Sequence, residues 1–317
     1  MKTFGWLLGL ILMVGVLSAC AGGQGPAEGM TNETASAETE HSQQDDAIID
    51  TDARIASMSI HMTNNLLALG ITPAGSVIGG GVQDFLPHVK NQLEGVEKLG
   101  VIKNPNLEAV VSLKPDYIFT DSFFGAETVD SLEKIAPVIS TNLDKGTWRD
   151  QLLETSSHFA LEDKAQSFIE EYDAKAKRVG ELIHEELGYD AKVMAVRVTA
   201  KNIRVQSTGR PLGPILYDDL KLTPPKLAED ISKAEPYAAI SVEVLPESDA
   251  DAIILMVNND EDARKAFATL ENNPLWSHVK AVKNDHVYAV DGQKWLDYSS
   301  LGQSMALDNA EELFTNK

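Results

Sequence analysis

Between Trp148 and about Leu187 the sequence contains no proline, and no glycine before Gly180. Over the same span Leu152, Leu153, Phe159, Phe168, Ile169, Tyr172, Val179 and Ile183 recur at helical spacing. Such a stretch has to form one or two long helices, with a break expected near Leu161-Glu162-Asp163 and an end at Gly188. Both flanks read differently, as short apolar runs alternating with short helical patterns. A long helix set between two alternating regions is an uncommon arrangement, and it limits the architectures open to the chain.

Ahead of the long span, Arg54 to Ser59 reads as a strand, His61 as the start of a turn, and Thr63 as the cap of a helix over Asn64 to Leu69 closed by Gly70. Ala74 to Ile78 is a second strand, ended by Gly79-Gly80-Gly81. Asn106 caps a helix over Leu107 to Leu113, Lys114-Pro115 breaks it, and Asp116 to Thr120 is an apolar strand. Ser131 to Ala136 reads as a helix and Val138 to Ser140 as a strand. Strands alternating with helices predict a parallel sheet covered on both faces. Beyond the long span, Lys192 to Thr199, Ile203 to Gln206, Ile253 to Val257 and His286 to Val290 read as strands, with helices over Pro214 to Leu220 and Ala263 to Leu270.

The remainder of the chain is of another kind. Lys2 precedes an almost wholly apolar run from Trp6 to Leu17, and Leu17-Ser18-Ala19-Cys20 follows at once. A basic start, an apolar stretch of about 7–15 residues and small residues before a cut site describe a secretory signal too short to span a bilayer comfortably. Leu17-Ser18-Ala19-Cys20 resembles the lipobox of bacterial lipoproteins, in which the cysteine is lipidated and becomes the mature N-terminus. An ordinary signal peptide with an incidental cysteine is the alternative. Cys20 is the sole cysteine, which excludes an intramolecular disulfide and a zinc or redox pair of cysteines. Residues 21–48 are rich in Gly, Ala, Ser, Thr, Glu and Gln and hold no aromatic residue, the composition of a flexible tether. About 270 residues then remain, more than one core usually organises. A net charge of −21 argues against nucleic acid as a partner. The expected division is a signal over 1–19, a lipidated tether over 20–48, an α/β lobe over 49–146, a linking helix over 147–188 and a second α/β lobe over 189–317.

Six stretches carry a resemblance to a known family: RIASMSIHMTNNLLALGITPAG, NPNLEAVVSLKPDYIFTD, LEKIAPVI, GTWRDQLLE, ISVEVLPESDADAIIL and NPLWSHVKAVKNDHVYAVDGQKW. In this order and spacing they resemble the iron-siderophore and vitamin B12 family of ABC-transporter solute-binding proteins, over nearly all of residues 50–317. The resemblance implies a class III periplasmic-binding-protein fold: two Rossmann-like α/β lobes with central sheets, joined by a long rigid helix, with the ligand in the cleft between them. It implies a monomeric, non-enzymatic carrier with no cofactor, lipid-anchored at the outer face of the cytoplasmic membrane. Its ligand would be a ferric siderophore, and its partners the importer permease and ATPase. In the family one surface glutamate on each lobe docks with permease arginines, and the matching positions are Glu108 and Glu243. Read alone, Glu108 is a helix-start carboxylate and Glu243 an ordinary surface charge.

Ligand contacts are expected at the C-terminal ends of the strands. Large, often anionic chelates are held by Arg, Lys and aromatic groups. Lys98 lies where siderophore binders of the family often place a basic contact. Arg197 interrupts an apolar strand, where a charge is costly unless paired, so it is either a ligand contact or half of a structural ion pair. Arg204 and Arg210 lie near it in sequence, though Arg204 also fits the solvent side of a strand. Trp295 and Tyr298 follow the last strand, Phe123 and Phe124 follow another, and His61 lies in the first loop. The mixture of basic and aromatic groups leans towards a hydroxamate or mixed carboxylate chelate. Haem or a corrinoid is the alternative within the family, with Met62 beside His61 as possible iron ligands. A lipid-anchored metal-dependent hydrolase is the alternative of another class. Against it, the chain has no Gly-x-Ser-x-Gly or His-Glu-x-x-His motif, and its seven histidines show no metal-ligand spacing.

Overall fold

The computed structural model describes residues 48–315; the expected leader, Cys20 and nearly all of the tether lie outside them. The first lobe runs β1 (Ile55–Ser57), α1 (Ile60–Ala68), β2 (Gly75–Ile78), β3 (Glu97–Val101), β4 (Asn104–Pro105), α2 (Leu107–Leu113), β5 (Tyr117–Asp121), α3 (Ala126–Glu133) and β6 (Val138–Thr141). Its strands form a six-stranded sheet in the order β4-β3-β2-β1-β5-β6. All neighbours are parallel except β3 and β4. Ile55 and Phe119 pack on one face of this sheet, and Ala56, Val77, Leu99 and Ile118 on the other. Burial on both faces is what nearly continuous apolar strands dictate.

Helix starts follow local chemistry, with one correction to the sequence reading. Ser59, not Thr63, caps α1: it has extended backbone angles and its hydroxyl accepts from Met62 N. His61 therefore belongs to the first helical turn. The Thr63 hydroxyl is spent elsewhere, joining Ser57 Oγ at 2.8 Å and Ser76 Oγ at 2.6 Å and so fastening α1 to β1 and β2. Asn106 caps α2 as expected, accepting from Ala109 N at 3.1 Å. Lys114 ends that helix in the left-handed region at φ 49°.

The long helical span resolves into two helices, α4 (Trp148–Ser157) and α5 (Glu162–Leu187), separated by the turn at His158 to Leu161. Thr147 and Asp150 form a reciprocal capping box at the start of α4. Along α5, Ala165, Ile169, Tyr172, Ala176, Val179 and Ile183 make one buried stripe. Gly180 faces the backbone: a Cβ there would lie 2.7 Å from Leu220 O. Gly188 ends the helix at φ 93°.

The second lobe runs β7 (Val193–Val198), β8 (Ile203–Gln206), α6 (Lys226–Glu229), β9 (Tyr237–Ile240), β10 (Ala252–Val257), α7 (Glu261–Glu271), α8 (Pro274–His278), α9 (Lys280–Lys283), β11 (Val287–Val290), α10 (Gly292–Trp295) and α11 (Ser300–Thr315). The helix expected from Pro214 is a π-helical segment, Pro214–Asp219. The sheet order is β11-β10-β7-β8-β9. β11, β10 and β7 are parallel, while β8 and β9 return antiparallel.

The two lobes share a core. One apolar cluster runs from Met62, Leu66 and Phe119 through Trp148, Leu152, Tyr172 and Val179 to Val193, Ala195, Ile254 and Met256, with Ala306 and Leu307 of α11. Buried polar contacts cross the same boundary. Asp297 accepts from Asn64 Nδ2 at 2.6 Å and pairs with His88 Nε2 at 3.0 Å, and Asn65 Oδ1 accepts from the Ser300 hydroxyl at 2.7 Å.

Candidate ligand site

A cavity of about 700 Å³ opens at the C-terminal ends of the first sheet. Ile78 ends β2, Val101 ends β3 and Asp121 ends β5, while Leu143 and Asp144 follow β6 and His61 opens α1; all of them line it. Open α/β sheets bind their ligands in such a crevice. A second cavity, about 720 Å³, lies along α5. Its central charges are already satisfied: Arg149 pairs with Asp219 at 3.0 Å, and Asp219 accepts from the Tyr172 hydroxyl at 2.8 Å. The first cavity has the better claim to a ligand.

Of the expected contacts, His61 and Phe123 line this cavity. Phe123 is 58% exposed and meets Phe124 edge-on, with ring centroids 5.9 Å apart. His61 Nδ1 is buried without a hydrogen-bond partner. Met62, its neighbour, is completely buried in the core, so it cannot face a haem iron in the cavity.

Arg197 and Arg204 face each other directly across the antiparallel β7–β8 pair. Like charges at opposed positions repel. Arg197 Nε donates to Asn258 Oδ1 at 2.8 Å, and the Arg204 guanidinium lies 4.2 Å from the centroid of the Tyr237 ring, its Nε donating to Asn202 Oδ1. Among the described residues neither arginine has a carboxylate partner. Burial, and then the Arg204 charge, push the Arg197 guanidinium below its ordinary value. The structural ion pair left open by the sequence is thus not formed, and neither arginine lines the cavity.

The other expected contacts are engaged. Arg210 donates to the carbonyls of Leu143 and Gly146 and lies 4.8 Å from the centroid of the Tyr298 ring, strapping the second lobe to the rim of the cavity. Tyr298 itself is 7% exposed, and burial pushes its phenol up. Trp295 is a core residue, 1% exposed, with its indole N–H given to Asn309 Oδ1 at 2.9 Å; following a strand in sequence did not bring it into the cavity. Lys98 is half-exposed and paired with Asp84 at 2.8 Å, beside Lys90 at 2.7 Å, and does not line the cavity. Lys103 does, and the sequence reading passed over it. The reading also missed Asp121, which is 3% exposed; an acidic residue closing an apolar strand was the available signal.

Glu108 lies exposed in the first turn of α2, and Glu243 exposed in the 3-10 segment Val242–Glu247 of the other lobe. A hydrogen bond from Ser241 draws the Glu243 carboxyl below its ordinary value.

Two α/β lobes sharing one core around a long helix, with the cavity at strand ends, define a bilobed solute-binding protein. The chain belongs to the periplasmic binding protein family, whose sequence profile matches residues 55–294. The chain is 27% identical over 324 residues to the probable siderophore-binding lipoprotein YfiY of Bacillus subtilis, covering 99% of this chain and 98% of that protein. It is 29% identical to the iron(3+)-hydroxamate-binding protein FhuD of the same organism, over 92% of this chain and 90% of the relative. The crystal structure of the iron-uptake system-binding protein FeuA from B. subtilis superposes with a TM-score of 0.73 at 25% identity, covering 84% of this chain and 96% of that one.

Proposed function

We propose that this chain is an exported lipoprotein, anchored through Cys20, that captures a ferric siderophore and delivers it to the permease and ATPase of an ABC importer. It is a carrier, not an enzyme. The Arg197–Arg204 pair carries the reading. Two facing guanidinium groups without a carboxylate repel each other, and although neither lines the cavity, a ligand rich in oxygen acceptors would relieve them. The relatives' printed roles, siderophore binding and iron(3+)-hydroxamate binding, support the same chemistry. Glu108 and Glu243, exposed on opposite lobes, are suited to pair with arginines on two permease subunits and fix the docking register.

Calorimetric titration of the purified chain with ferric hydroxamate, citrate and catecholate chelates, and with haem and cobalamin, tests the reading. Tight binding of at least one ferric chelate is expected. Binding of haem or cobalamin alone would replace the ligand class, and no binding of any of them would reject it.

A further inference from the structure

Asp121 is a charge without an answer in the protein. It ends β5, inside the first sheet between β1 and β6, and its residue is 97% enclosed while lining the cavity. Its one side-chain hydrogen bond among the described residues is the local turn contact from Phe123 N to Oδ1 at 2.9 Å. No Lys, Arg or His nitrogen among them lies within 4.0 Å of it, although Lys103 lines the same cavity. Its other oxygen opens on the cavity, and once a ligand displaces the water there a carboxylate without a counter-charge costs free energy unless the ligand brings a cation. One neighbour favours that cation being an ammonium: the exposed Phe123 ring, which lines the same cavity.

We infer that the ligand is a ferric chelate bearing a protonated amine, and that Asp121 binds this ammonium group. The inference rests on the ferric-siderophore reading above. Lys103, in the same cavity, donates to the oxygens of the chelate, and Asp121 receives a cationic arm. A chelate lacking the amine leaves Asp121 enclosed and unpaired, which selects against it.

The test compares ferrioxamine B, a linear hydroxamate chelate ending in a primary amine, with its N-acetylated derivative, which has the same iron centre and no charge on that arm. Ferrichrome, a cyclic hydroxamate without an amine, and ferric citrate complete the panel. The wild-type chain should bind the amine form roughly tenfold to a hundredfold more tightly than the acetylated one, the range of a charge-assisted contact to an enclosed group. Asp121→Asn should bring that ratio close to one, and Asp121→Glu, which keeps the charge, should retain its direction. Equal affinity of the wild type for the two forms overturns the inference while leaving the siderophore reading intact. So does binding of ferrichrome or ferric citrate with neither ferrioxamine, or a ratio that survives Asp121→Asn. Should Asp121→Asn fail to fold, the wild-type ratio still decides. Failure to bind any ferric chelate removes the siderophore reading and this inference together.

Discussion

Replacing Arg197 by Gln separates a binding role from a structural one. The guanidinium is half-buried, stands opposite Arg204 across β7 and β8, and makes one hydrogen bond, to Asn258. Removing the charge relieves a cross-strand repulsion of about 0.2–1 kcal/mol. It also weakens or loses a hydrogen bond of about 1 kcal/mol. The two terms oppose each other, so stability should change by less than about 1 kcal/mol, a shift of roughly 2–4 °C in melting temperature at most. Affinity for the ferric chelate should respond much more. A charge-assisted contact in an enclosed site contributes about 1.5–3 kcal/mol, or roughly tenfold to a hundredfold in Kd. Thermal melts and calorimetric titrations on the same preparation read both quantities. A loss of about 3 kcal/mol or more in stability, with the affinity of the folded fraction unchanged, would mark Arg197 as part of a structural pair and refute the reasoning. The basic contribution would then fall to Lys103.

Glu108→Lys and Glu243→Lys should each cut uptake in cells dependent on this protein while chelate affinity is retained; full uptake by either variant removes that residue from docking. Gly180→Ala should destabilise the fold by about 1–3 kcal/mol in urea, because the new Cβ meets the Leu220 carbonyl at 2.7 Å and a backbone oxygen cannot rotate away. Alanine favours a helix by about 1 kcal/mol, so a stabilised variant would show that the approach is looser than described. Asp150→Ala should cost about 1 kcal/mol through loss of the capping box. Hydrogen bonds from Thr147 hold the Asp150 carboxyl below its ordinary value, so its contribution is complete above the ordinary Asp range and lost as pH falls through the lowered value. The difference between wild type and variant should therefore shrink on acidification, and a gap that widens instead rejects the assignment. Scattering with and without ligand should show nearly the same radius of gyration, since α5 offers few backbone dihedrals to absorb a hinge; a clear contraction would reject the stiff connection.

What the sequence revealed, and what it hid, divides along physical lines. Asn106, the apolar run after it and Lys114-Pro115 gave α2 to the residue, because cap, stripe and breaker are all local. The buried stripe of α5 was equally plain. β3 and β9 were missed: Leu99 is the single fully buried residue of β3, and β9 has none, so neither carries an alternation to detect. The helix α11 was missed because the face it buries against α1 and α5 is made of Gly302, Gln303, Ala306, Leu307 and Ala310, small or polar except for Leu307, so it carries little hydrophobic periodicity. The site suffered from the same dependence on distant partners. Lys98 looked available because Asp84, which holds it, lies outside its own segment. Trp295 looked like a cleft residue because nothing local names Asn309 as its acceptor. Arg197 stood out, since a charge within an apolar strand needs a reason wherever the strand lies, and no carboxylate among the described residues supplies one.

The apolar cluster that passes from Met62 through α4 and α5 to Met256 bears on how the molecule comes apart. Neither lobe encloses its own half of that cluster, so a chain divided at His158–Leu161 would leave two pieces each with a bare apolar face. Heat or urea should then melt the described body in one transition, not lobe by lobe. A bound chelate should raise the midpoint for the whole molecule by mass action. Unfolding of one lobe alone, a route by which proteases reach a chain, should be correspondingly rare.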